Sequence, residues 1–471
     1  MLKNHIINVL TEQLVHSPTG SQKSLIDLIP GFITGDSNKD ILLVKGFAGT
    51  GKTSVLGALV RTMKIMKTNV VLLAPTGRAA KVLSSYCRHI AWTIHKKIYR
   101  QKASTDGMGK FILDRNLHKN TLFIVDEASM ISNQIFEGDI FGSGRLLDDL
   151  IQYVYEGNNC RLLLVGDTAQ LPPVHLDISP ALDSEYLKGF GLSVLEIFLS
   201  EILRQAEDSG ILFNATDIRH IISGSGHNMP HIILDDFTDI ERINGTDLLG
   251  KITDSYDSAG IEETIVVTRS NKKANQYNKG IRNMILYREE ELAPGDLLMV
   301  VKNNYFWLPE NESADFIANG DIIEIIRIRR YQEMYGFRFA DALVKFTDYR
   351  NMELEVKLLL DTVYSEKASL TGEQNKILFQ NVIEDYADIS NRRKRLEKIR
   401  TNPWFNALQV KFAYAVTCHK AQGGQWKNVF IDQGYIREDM VNTEYLRWLY
   451  TAFTRSTSKL YLVNFDDSFF S

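Results

Sequence analysis

The stretch GFAGTGKTS at 46–54 carries the clearest chemistry in the chain. Gly46, Gly51, Lys52 and Thr53 occupy the fixed positions of G-x-x-x-x-G-K-[ST], after the apolar run ILLV (41–44) and before a helix-compatible stretch. In such a turn, Gly49, Thr50 and their neighbours present backbone N–H groups to a β-phosphate, and the helix that follows adds its positive end. Lys52 bridges the β- and γ-phosphates, and the Thr53 hydroxyl ligates Mg²⁺. ATP and Mg²⁺ are therefore the expected cofactors. Downstream, FIVDEAS sets Asp126 and Glu127 at the end of an apolar strand. Asp126 is suited to hold Mg²⁺ through its hydration shell, and Glu127 to orient and deprotonate the attacking water. In LLLVGDTAQLPPV, Gln170 is placed to reach the γ-phosphate or its water. Arg204 in LSEILRQ and Arg455 in LYTAFTRSTSKLYLV are candidates to approach the γ-phosphate from a second domain, stabilising transition-state charge and tying closure to ATP.

These groups need strands to hold them. Short runs rich in Leu and β-branched residues recur at 41–44, 70–74, 122–126 and 161–167, separated by helix-length segments. This is the signature of buried parallel strands in an α/β sheet. A second set at 264–270, 412–420, 428–432 and 459–465 implies a second such domain. Between them, about 296–403 reads as strands joined by turns, with no intervening helices until a charged helical run at its end, which predicts an inserted small β-barrel. A smaller insertion at about 96–121 reads as a β-hairpin. The expected division is a first domain over 1–200, a second over 201–295 and 404–471, and a barrel insertion over 296–403.

Composition narrows the class. The 471 residues exceed one ordinary core. A hydrophobic fraction of 44% with 24% charged residues is that of a soluble globular protein. No apolar stretch approaches a membrane span, and no secretory signal is evident. Three scattered cysteines, Cys87, Cys160 and Cys418, fit reduced thiols in a cytoplasmic protein without a structural metal. A net charge of -4 argues against a coat-like basic protein, but a strand-gripping channel needs only local positive charge.

In order along the chain, GFAGTGKT, APTGRAA, TIH, VDEAS, GDTAQLPPV, LRQ, VVTRSNKKANQYN, YAVTCHKAQGG and LYTAFTR resemble the motifs of superfamily 1 helicases, and among them the RecD/Dda-like branch. The resemblance covers both α/β domains. It implies two RecA-like P-loop NTPase domains with parallel sheets, a hairpin that splits the duplex, an SH3-like β-barrel insertion, and 5′→3′ movement on single-stranded DNA. It also implies that Gln22 in SPTGSQKSL reads the adenine edge. For the DNA it implies Pro75, Thr76, Gly77 and Arg78 on the first domain, Thr93 and His95 beside the hairpin, and Thr417, His419, Lys420 and Gln422 on the second. Thr76 and Arg78 suit phosphate oxygens, and Arg78 also suits a base face. Tyr99 or Phe111 is placed either to stack on the last base pair or to pack the hairpin onto its domain. The sequence departs from the family after HKAQG, where Gly424 and Gln425 stand in place of a frequent Ser and Glu.

The reading is an ATP-dependent DNA helicase acting on single-stranded and duplex DNA in repair, recombination or replication, with nothing that demands more than a monomer. RNA helicases share the ATP chemistry, and the 2′-OH contacts that separate the two are not readable here. Glu355 and Lys357 show the E-x-K spacing of some metal-dependent nucleases, which makes a nuclease subunit one rival, and the ATPase subunit of a helicase-nuclease complex is a further alternative. A nucleotide-binding scaffold is disfavoured, because every expected catalytic position is filled.

Overall fold

The apolar runs of the first half become parallel strands because helices cover both of their faces. The computed structural model describes residues 2–35, 39–101, 111–135, 141–202, 208–224, 229–235, 237–308, 316–347 and 352–470. Its first eight strands are β1 (Asp40–Gly46), β2 (Asn69–Ala74), β3 (Ala91–Thr93), β4 (Tyr99–Gln101), β5 (Phe111–Leu113), β6 (Thr121–Val125), β7 (Arg161–Gly166) and β8 (Ser193–Leu199). Six of them form a parallel sheet in the order β3-β2-β6-β7-β1-β8. Along β1, Ile41 and Leu43 enter one core, against the helix Leu146–Glu156, while Leu42 and Val44 enter the other, against the helices Gly20–Thr34 and Lys52–Ile65. The period-2 alternation of a strand thus feeds two apolar layers from one continuous run.

The second domain repeats the scheme with β9 (Ile240–Ile243) and β10 (Thr264–Thr268) before the insertion. The insertion holds β11 (Leu297–Val300), β12 (Ile322–Met334), β13 (Phe337–Phe346), β14 (Met352–Leu359) and β15 (Leu408–Phe412). The domain resumes with β16 (Ala415–Thr417), β17 (Trp426–Asp432) and β18 (Ser456–Val463). Its sheet is parallel, in the order β16-β10-β17-β18-β9.

β11 to β15 close into a five-stranded barrel. Its last strand comes from residues that the sequence reading gave to the second sheet. The run from 408 to 417 carries no turn signal, so its apolar pattern does not reveal that it serves two sheets. The division falls at Tyr414, whose hydroxyl donates to Asp296 at 2.9 Å. That fully buried carboxylate also takes both ends of Arg282 (3.1 and 3.0 Å) and Arg288 at 2.8 Å, fixing the barrel's root to the second domain. The expected single charged helix is two, Gly372–Glu384 and Arg392–Arg400. Asn391 accepts from the Lys394 N–H at 3.2 Å at the start of the second.

The hairpin is present as the antiparallel pair β4–β5, and its connection at 102–110 lies outside the described residues. Tyr99 and Phe111 are each 4% exposed. They pack with Phe141, and Phe111 also meets Tyr305 and Phe316 of the barrel insertion at 4.3 and 6.5 Å between centroids. Of the two readings for these rings, the packing one matches this arrangement. They seat the hairpin between the first domain and the insertion, because a ring buried among other rings offers no free face.

Candidate nucleotide and strand-binding site

Parallel strands deliver their loops to one edge, and the nucleotide candidates gather there. The P-loop follows β1, Asp126 follows β6 and Asp167 follows β7. Gly49 and Gly51 both hold φ of +78°, a conformation that L side chains rarely adopt, so the turn requires glycine there. At Gly46 a Cβ would meet the Thr50 hydroxyl oxygen at 2.9 Å and Leu199 at 3.0 Å. Thr50 is buried and closes the loop by donating to the Phe47 carbonyl at 2.8 Å. Thr53 lies in the first helical turn.

Lys52 donates to the carbonyls of Gly46 and Phe47, both at 2.8 Å, and lies 3.8 Å from Asp167. Its ammonium is thus held over the loop, at the start of the helix Lys52–Ile65. Gln22 is buried, but both ends of its amide are engaged. It donates to the Thr50 carbonyl at 2.9 Å and accepts from the Thr19 N–H at 3.1 Å in a capping box. In this structure Gln22 braces the P-loop.

Asp126 accepts from the Glu127 N–H at 2.9 Å, and Glu127 adopts φ of +54°. Burial, and then the Glu127 charge beside it, push the Asp126 carboxyl up to about 7. A half-buried carboxylate held this way has the chemistry of a site completed by a cation, so Thr53 and Asp126 fit Mg²⁺. Gln170 is buried, with an Oε1 that has no hydrogen-bond partner among the described residues.

The second domain reaches this edge directly. Tyr450, on the helix Thr443–Phe453, accepts from the Ala48 N–H at 2.8 Å and donates to Asp167 at 2.7 Å. One residue on, the Thr451 hydroxyl accepts from the Leu171 N–H at 2.8 Å. Sequence reasoning assigned no role to Asp167 or Tyr450, although both lie inside quoted motifs. Arg455 is buried and points its guanidinium at neutral oxygens: the carbonyls of Thr451 (3.0 Å) and Gly424 (3.2 Å) and the hydroxyl of Thr454 (3.1 Å). Arg204 lies outside the described residues.

The strand candidates lie along the same seam. Pro75 leaves β2, Thr76 caps the helix Gly77–Cys87 by accepting from the Ala79 N–H, and Gly77 begins that helix. Arg78 stacks 4.4 Å above Trp426 and donates to the Gln425 carbonyl at 3.2 Å. Gly423, at φ +72°, comes so close that a Cβ there would lie 2.8 Å from the Ala79 Cβ. The loops proposed to grip a strand from either side therefore touch each other. Lys420 donates to Asn319 of the insertion at 2.6 Å, and burial pulls it down to about 8. His419 is exposed, and Thr417 precedes it at the end of β16.

Three candidates are placed otherwise. Gln422 is buried and donates to the Leu171 carbonyl at 2.7 Å, so it joins the domains instead of facing outward. Thr93 is buried as the cap of the helix Ile94–Ile98, accepting from the Lys96 N–H. His95 packs edge-on to Phe141 at 4.8 Å, and burial pulls it down to about 4, which leaves a neutral ring among aromatics. On the barrel, Glu355 pairs with Arg329, and buried Lys357 pairs with Asp341 beneath Trp404. Salt-bridged strand residues account for that E-x-K spacing.

A P-loop NTPase with two RecA-like domains closed on each other is what this fold and this edge define. Residues 33–210 match the family model described as an AAA domain, and 412–463 match the UvrD-like helicase C-terminal domain. The chain is 23% identical to the ATP-dependent DNA helicase dda of Enterobacteria phage T4, over 88% of this chain and 92% of that protein. It is 24% identical to the ATP-dependent RecD2 DNA helicase of Deinococcus radiodurans, over 93% of this chain but only 48% of that protein. Among solved structures it is similar to the Pif1 helicase from Candida albicans, with a TM-score of 0.48, 15% identity and coverage of 97% of this chain and 96% of the other. The two family matches and the curated relatives support a superfamily 1 helicase of the RecD/Dda type.

Proposed function

We propose that the chain is an ATP-dependent DNA helicase that moves 5′→3′ on single-stranded DNA, unwinds duplex and serves repair, recombination or replication. The observation that carries the reading is the shared seam. The contact of Tyr450 with Ala48 and Asp167 and the contact of Gly423 with Ala79 lie on one interdomain interface. Anything that enters the P-loop alters the first contact, and a rigid domain transmits the change to the second. DNA as the strand is supported by the printed activities of the dda and RecD2 relatives, and the direction by the motif resemblance.

In this reading Lys52 and the P-loop amides hold the phosphates, Thr53 and Asp126 hold Mg²⁺, and Glu127 and Gln170 place the attacking water. Bound Mg²⁺ would neutralise phosphate charge. Arg455, fixed on the Gly424 carbonyl, positions the loop that carries Gln422 to Gln425. Arg78, Thr76, Lys420 and His419 are proposed to contact the strand.

The test is strand separation with ATP and Mg²⁺ on otherwise identical duplexes carrying a 5′ or a 3′ tail, with Lys52→Ala as control. Unwinding of the 5′-tailed duplex alone, abolished in Lys52→Ala, is the expected result. Unwinding from the 3′ tail alone discards the direction, and unwinding that survives Lys52→Ala discards the motor. Stimulation of ATP hydrolysis by RNA strands but not DNA strands would move the substrate class to RNA.

A further inference from the structure

The helix Gly210–Ser223 of the second domain leans on the P-loop. A Cβ on Gly49 would lie 3.3 Å from both Leu212 methyls. Two turns further along that helix, the guanidinium of Arg219 sits 4.4 Å above the ring of Phe47. Arg219 is 8% exposed, and its Nε and Nη1 have no hydrogen-bond partner among the described residues.

Buried arginines are ordinarily paired, because an uncompensated charge out of water is costly. An aromatic face answers only part of that need. Arg455, also buried, has oxygen acceptors for all three guanidinium nitrogens, whereas Arg219 leaves two without one among the described residues. Phe47 also supplies one of the two carbonyls that hold Lys52, the residue that bridges β- and γ-phosphates in this motif. The charge of Arg219 is felt at Tyr450, whose hydroxyl takes the Ala48 N–H. A lysine, an arginine and a backbone amide thus converge on one end of the P-loop, where Asp167 supplies the negative charge.

We propose that Arg219 contacts the terminal phosphate of the bound nucleoside triphosphate from the second domain, so that docking of the two domains depends on whether that phosphate is present. The inference rests on the ATP-site reading and adds a residue to it. The arginine completes its fork on the phosphate oxygens when the triphosphate is bound and loses that partner when the phosphate leaves.

The test uses the full chain with Arg219→Met and Arg219→Lys. Affinities are measured for a non-hydrolysable ATP analogue and for ADP, both with Mg²⁺, alongside thermal unfolding without nucleotide. In Arg219→Met the analogue should bind about 10- to 100-fold more weakly while ADP changes less than about 3-fold, as expected for loss of charge-assisted bonds to one phosphate. The nucleotide-free Tm should stay level or rise, since the variant removes a buried cation with two nitrogens unpartnered among the described residues. Arg219→Lys, which keeps the charge without the planar fork, should fall between, and it carries the test if the methionine variant fails to fold. An unchanged preference for the triphosphate over ADP overturns the proposal, whatever happens to the Tm. A wild-type chain that binds neither nucleotide, or binds both undiminished in Lys52→Ala, overturns the ATP-site reading itself.

Discussion

At the scale of single residues, charge and burial decide which candidates are free to act. His95 is neutral in the fold because burial holds it near 4, below its ordinary 6.5, and the Asp149 charge only partly opposes this. Its folded value is depressed, so the stability it contributes is complete above about pH 6.5 and is lost as pH falls toward 4. Exchanging it for glutamine should flatten that acid limb, removing on the order of 2 kcal/mol of the loss, as read by urea denaturation at pH 7, 5.5 and 4.5. The same scale shows what a sequence can carry. The places of Lys52 and Thr53 after β1, and of Asp126 and Glu127 after β6, were legible because each pair lies in a short motif beside an apolar run. Arg219 was not, since a lone arginine on a helix has no signature until another domain's Phe47 is placed beneath it. Thr93 and Gln422 matched motifs, yet their contacts are a helix cap and a buried hydrogen bond to the Leu171 carbonyl, which no spacing distinguishes from strand binding.

At the scale of elements, two junctions invite perturbation. Gly423→Ala would impose a side chain at φ +72° and against Ala79, a strain of about 1–2 kcal/mol. It should push the facing loops apart, raising the single-strand concentration needed for half-maximal ATPase several-fold while basal hydrolysis changes little. Titration of ATPase with single-stranded DNA checks this. Phe111→Ala removes a buried ring from the seat of the hairpin and should cost about 3 kcal/mol in denaturant unfolding. Unwinding should fall further than strand-stimulated ATPase. The elements themselves were largely readable: the apolar runs at 41–44, 122–125 and 161–166 lie in β1, β6 and β7 because fully buried strands are continuously apolar. The barrel's closing strand escaped because 408–417 changes sheets without a Gly or Pro to mark the change.

For the whole molecule, the two domains meet through hydroxyls as well as apolar surface. Tyr450→Phe would keep the ring and remove the group that joins Ala48 to Asp167. Without nucleotide, the variant should populate a more open arrangement, seen as longer distances between fluorophores on the two domains. With an ATP analogue it should match the wild type, because the phosphate then supplies the acceptor for Ala48. An identical distribution in the nucleotide-free state would assign closure to the apolar contacts instead.

The way the barrel is hung has a consequence of another kind. Its first and last strands lie side by side, with Leu298 opposite Phe412, so the insertion leaves and rejoins the second domain at one point. A closed barrel also offers no edge to the sheet it interrupts. Such a unit behaves as a cassette: descendants of one ancestral motor can lengthen, replace or discard it without rewiring the engine, provided the carboxylate at its root keeps its partners. Variation between related motors should then concentrate beyond Asp296, while the strands on either side of that root stay in register.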